Sequence, residues 1–120
     1  GNVKDHELLY NKVIFLKSLF PSLPEESLLV LAGSMVSAGF LSPEYLPREN
    51  GYILWECDSG GHECSAGIFY DNILRKISAS GKDSFCYILP LVDLEDFIVR
   101  YPEHTPEIFK YIDETERRKQ

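Results

Sequence analysis

The sequence predicts an α+β domain: an N-terminal helical hairpin, a four-stranded antiparallel meander and two short C-terminal helices. Three observations carry that expectation. Apolar residues recur at one-face helical spacing over residues 5–20, segments rich in β-formers follow Gly51, and proline-delimited helical patterns close the chain.

In the first helix Leu9, Val13, Leu16 and Phe20 fall on one face. Leu8, Ile14, Phe15 and Leu19 widen the stripe towards a well-buried helix, with Asn11, Lys12 and Lys17 on the wet side. Ser22 and Glu25 have the spacing of a capping box, and Pro24 is tolerated in a first turn. A second helix is expected from Leu23 to Ala38, ending at Gly39. Its small-residue interior, Ala32-Gly33-Ser34, suggests close approach of the first helix, because a mid-helix Gly otherwise costs roughly 1 kcal/mol.

Pro43, Pro47 and Asn50-Gly51 mark a connector. Strands are expected over 52–57, 64–70, 73–79 and 85–89, separated by short turn clusters. Both parities of most strands are apolar, so helices must cover at least one sheet face. Pro90 ends the last strand, and Asp93 is placed to cap a helix carrying Leu94, Phe97, Ile98 and Tyr101. Thr105-Pro106 starts a last helix through about Arg118, with Ile108, Phe109, Tyr111 and Ile112 on its apolar side. The end from Glu114 is polar and expected to fray.

The 120 residues suit one domain, and seven Phe, seven Tyr and one Trp supply bulk for a core. The chain opens Gly1-Asn2-Val3; Gly1 reads as a residue left by tag cleavage, which points to a natural sequence beginning upstream and to a domain cut from a longer chain. The net charge of −7 argues against nucleic acid and anionic membranes, whose binding rests on Lys and Arg. It admits a basic protein partner, although acidity is also a common route to solubility. No apolar run reaches the roughly 20 residues that span a bilayer. Three cysteines, Cys57, Cys64 and Cys86, favour a reducing, cytoplasmic setting over a disulfide framework; an extracytoplasmic one follows if a signal peptide preceded Gly1.

The densest chemistry lies in Cys57-Asp58-Ser59-Gly60-Gly61-His62-Glu63-Cys64. Turn chemistry accounts for every residue of it except the cysteines. If the flanking strands pair, Cys57 and Cys64 stand close enough for a hairpin disulfide. A metal site from Cys57, His62 and Cys64 lacks a fourth ligand and fits no standard spacing, so neither metal nor cofactor is expected. A thiol enzyme or small hydrolase with His62 as base is the catalytic alternative, while Cys86 reads as a core thiol. Ser59 lies in no nucleophile elbow and Gly60-Gly61 in no phosphate loop, so no catalytic residue is assigned. His6 and His104 read as surface residues without a visible partner. Trp55, Asp58, His62 and Glu63 are the candidate binding residues, with Trp55 weighed against a plain core role. The function expected from these residues is a non-catalytic interaction or regulatory module with an acidic surface, of which a toxin-neutralising domain is an example.

Overall fold

In the computed structural model the described residues are 3–37, 51–58, 63–70 and 85–118, with side chains 3–8 and 85 outside the description. Helices α1 (Val3–Leu19) and α2 (Glu25–Ser34) precede strands β1 (Val36–Ser37), β2 (Tyr52–Cys57), β3 (Cys64–Phe69) and β4 (Phe85–Pro90). Helix α3 (Leu91–Arg100), a single 3₁₀ turn (Pro102–His104) and α4 (Thr105–Arg118) complete the order. The fold is α+β, with a four-stranded antiparallel sheet in the order β1-β4-β2-β3. The expected strand at 73–79 lies outside the described residues. The fourth described strand is Val36–Ser37, a segment expected to be helical.

The reason for that change is visible at the end of α2. Met35 leaves the helix with extended backbone (φ −80°, ψ 145°), and Val36 and Ser37 pair with Ile88 and Tyr87 of β4. A β-branched residue beside an open strand edge gains more from the ladder than from another helical turn. The Lys12 ammonium donates to the Met35 carbonyl at 2.7 Å and fastens α1 to this junction. Lys12 is therefore half-buried rather than wet, and burial holds its pKa below the ordinary lysine value. Gly33 also departs from expectation: among the described residues a Cβ added there would meet nothing within 4 Å, so no described element closes on it.

The capping box does not form. Pro24 is the N-cap of α2 and makes no side-chain cap bond; its carbonyl accepts the Ser27 and Leu28 amides. The Ser22 hydroxyl instead donates to the Glu107 carboxylate of α4, because it stands three residues ahead of the first helical residue. Asp93 is likewise no cap. Pro90 holds that position, and Asp93 lies in the first turn of α3, where burial and then Asp96 raise its carboxyl above the usual range. Thr105 is already helical (φ −53°, ψ −46°), because the 3₁₀ turn leads straight into α4.

Pairing of β2 with both neighbours sorts the strands into two faces. Ile53, Trp55, Cys57, Ile68, Tyr87 and Leu89 join the helices in the main core, to which α1 contributes Val13 and Leu16, α2 Leu28 and Leu31, α3 Leu94 and Phe97, and α4 Ile108. Tyr52, Leu54, Cys86 and Ile88 form a second buried cluster, with Phe69 packed against it. Gly67 serves that second face: the Phe69 ring lies 2.7 Å from where its Cβ would stand. Gly51 begins β2 with φ 82°, a conformation that favours glycine, and its carbonyl accepts the Leu91 amide at 3.1 Å.

An aromatic seam joins the layers. Phe15 of α1 meets Trp55 edge-on (5.4 Å between ring centroids) and stacks on Tyr87 (4.6 Å), while Phe20 meets Tyr111 at 5.2 Å. The Trp55 indole N–H donates to the Tyr111 hydroxyl at 2.8 Å, tying β2 to α4. Thr115, expected in a fraying end, is buried and donates to the Tyr111 carbonyl at 2.9 Å.

Candidate functional site

The hairpin that carries the chemistry-rich segment is set by β2 and β3 in direct register, Cys57 opposite Cys64. The Asp58 amide donates to the Glu63 carbonyl at 2.9 Å, one position beyond. Hydrogen-bonded and non-hydrogen-bonded pairs alternate along an antiparallel ladder, so the cysteines occupy the closer, non-hydrogen-bonded kind. Their Cα atoms are 4.0 Å apart and their sulfurs are bonded. The disulfide removes both thiolates, so neither cysteine is a nucleophile or a metal ligand in this form. Cys86 is a free thiol, buried in the second cluster.

Among the described candidate binding residues, Asp58 and Glu63 stand together at the hairpin and Trp55 stands apart in the core. Trp55, only 1% exposed, belongs to the core, the plain role weighed for it; its indole N–H is spent on Tyr111. Asp58 and Glu63 are exposed at the ends of the hairpin strands. His62 lies outside the described residues, as does His6's side chain. Among the described residues, no group of three His, Cys, Asp or Glu side chains is arranged to hold a metal ion.

His104 is not a surface residue. Its side chain is mostly buried and its Nε2 lies 3.1 Å from the Ser27 hydroxyl, joining the 3₁₀ turn to α2. A Glu103 carboxylate oxygen is 3.8 Å from the same nitrogen. A nucleophilic triad needs the carboxylate on the other ring nitrogen and a hydroxyl open to substrate. Here both partners address Nε2, and Ser27 is buried, so this is a structural clip. Phe97 and Tyr101 flank the imidazole at 6.2 and 5.9 Å. Nothing local announces the Ser27–His104 contact, because its partners are 77 positions apart.

Among the described residues, two grooves on the helical layers have exposed apolar walls. Along α4, Pro106, Phe109, Lys110, Ile112, Asp113 and Glu116 line an open groove of about 580 Å³. Phe109, expected on the apolar inner side, is 55% exposed. The turn geometry gives the reason: Ile108 takes the fully buried position while Tyr111 and Ile112 pack beside it, which rotates Phe109 outwards. Asp113 pairs with Arg117 at 2.9 Å along the same helix. Between α1 and α2, Val13, Ile14, Lys17, Glu25 and Leu28 line a groove of about 280 Å³. The Lys17 ammonium reaches the Leu23 carbonyl at 3.4 Å across it.

No helix among the described residues is long and apolar enough to cross a membrane. In comparisons with known proteins, no family model, curated protein or solved structure matches this chain.

Proposed function

We propose that this domain is a non-catalytic protein-interaction module whose C-terminal helices take a basic protein partner, in the manner of a toxin-neutralising or regulatory domain. The observation that carries the reading is Phe109, a large ring more than half exposed at the wall of the α4 groove. Exposed aromatics in a concave apolar setting are typical binding anchors. The charge around it is net acidic: between residues 91 and 118 there are eight Asp and Glu against four Lys and Arg. Such a surface steers a cationic protein and repels nucleic acid. The engaged thiols of Cys57 and Cys64 support a binding role over the thiol-enzyme alternative, and they support maturation in an oxidising compartment.

The test begins with a partner enriched from host extract, identified and then titrated against purified domain. Phe109→Ala is expected to weaken that titrated affinity at least tenfold, and added salt to weaken it further, in keeping with a central anchor inside a charged rim. A partner that binds the variant and the unaltered domain equally, with no salt dependence, sinks the reading.

A further inference from the structure

We infer that the outward face of the α1–α2 hairpin is the contact surface of a symmetric dimer, with α1 of each copy lying over α2 of the other. The inference is independent of the α4 groove. It starts from three residues one turn or so apart on α1: Tyr10, Ile14 and Lys17 share a face. Tyr10 is 64% and Ile14 51% exposed, on a helix whose other described apolar side chains reach the core. On α2, Glu25, Leu29 and Gly33 recur every fourth residue along the exposed side.

Charge chooses the occupant. Within 9–34 the charged side chains are Lys12, Lys17, Glu25 and Glu26, an even balance in a chain of net charge −7. Lys17 and Glu25 are the opposed charges lining the groove, while Lys12 donates to the Met35 carbonyl and Lys17 also reaches that of Leu23. A strongly basic or acidic partner would meet a like charge here. A second copy meets the opposite charge at both places.

The levels along the hairpin agree. Lys17 and Glu25 line one groove at the loop end of the pair. At 1.5 Å per residue, Ile14 lies roughly 4.5 Å from the Lys17 level and Leu29 roughly 6 Å from the Glu25 level. Tyr10 and Gly33 follow at roughly 10.5 and 12 Å. A two-fold axis running along the hairpin preserves these levels and exchanges the helices. Lys17 then faces Glu25 of the partner subunit, Ile14 faces Leu29 of the partner subunit, and the Tyr10 ring lies over Gly33 of the partner subunit. The open space at Gly33, where an added Cβ meets nothing within 4 Å, gives that ring room. Two short helices per copy form a patch near the lower end of specific interfaces, so the dimer is expected to be a weak one.

Sedimentation of the full chain from about 1 μM to about 1 mM is expected to show a monomer–dimer equilibrium, the range in which small interfaces associate. Ile14→Glu, and separately Tyr10→Glu, should leave a folded monomer by circular dichroism at every concentration. Lys17→Glu and Glu25→Lys should each weaken the dimer tenfold or more, and the doubly exchanged K17E/E25K chain should recover most of that loss. Phe109→Ala should leave the equilibrium unchanged, which separates this surface from the α4 groove. A monomer throughout overturns the inference. So does a dimer indifferent to both Ile14→Glu and Tyr10→Glu, or a double exchange no better than its single changes.

Discussion

The two helical pairs cover one sheet face in different ways. In the C-terminal pair Leu94, Phe97 and Ile108 are buried, and the exposed Val99 and Phe109 stand among charges, Glu95, Asp96, Lys110 and Asp113, that face water. Among the described side chains, the N-terminal pair exposes fewer charges. The apolar stripe of its α1 is broad, so the core takes Val13 and Leu16 and leaves Tyr10 and Ile14 outside. A helix in contact with one layer can bury one stripe, and a wider stripe must emerge somewhere. In the C-terminal pair the core positions were read correctly except for Phe109, and in the N-terminal pair α1 was overestimated as buried. The same contrast separates their surfaces: charged with one anchor ring on α4, balanced and apolar on α1–α2.

The largest expected effect tests what joins the two pairs. Trp55 touches Phe15 of α1 and donates to Tyr111 of α4. Trp55→Ala should cost about 3–5 kcal/mol in denaturant unfolding, from the lost ring and the cavity it leaves. Trp55→Phe should cost clearly less; equal losses would show that the seam does not depend on ring packing.

Next is the hairpin that belongs to neither pair. Replacing Cys57 and Cys64 together by serine removes a short-loop cross-link, separated by 7 positions, and should lower stability by about 2–3 kcal/mol. Reductant should reproduce that loss in the unaltered chain and add nothing to the serine variant. A thiol count in denaturant should find one free cysteine before reduction, Cys86.

Lys12→Met keeps the packed methylenes but strips the Met35 carbonyl of its donor at the α2–β1 junction. About 1 kcal/mol should be lost, with amide exchange accelerated first at Val36 and Ser37. Gly33→Ala runs the other way. Nothing blocks the added methyl, so thermal unfolding should show a gain of about 0.5–1 kcal/mol, while the dimer weakens.

The smallest effect concerns the C-terminal pair. Burial and Asp96 raise the Asp93 carboxyl, so the folded chain keeps a proton that the unfolded chain has already released. Stability from this group is greatest at low pH and declines as pH rises through the folded value. Asp93→Asn removes that decline. Its melting temperature should gain on the parent's as pH rises from the ordinary aspartate range through the folded value, and the gap should hold level beyond it. A gap that narrows as pH rises would refute the assignment.

Local chemistry by itself determined much of this molecule. The apolar spacings on α1 and α3, the β-rich segments after Gly51, and the stops at Pro90 and Tyr101-Pro102 act over a few residues, and the structure keeps them. The cysteine spacing admitted the hairpin disulfide but equally a turn or a metal site, since only strand register puts Cys57 opposite Cys64. Tertiary structure alone decided the rest. Ser22 left its own helix for Glu107, Val36 and Ser37 left α2 for β4, and His104 found Ser27. It also took Trp55 into the core and turned Phe109 out. Each of these outcomes is a competition between a local partner and one brought near by packing. Spacing along the chain describes the first partner, and only the assembled layers supply the second.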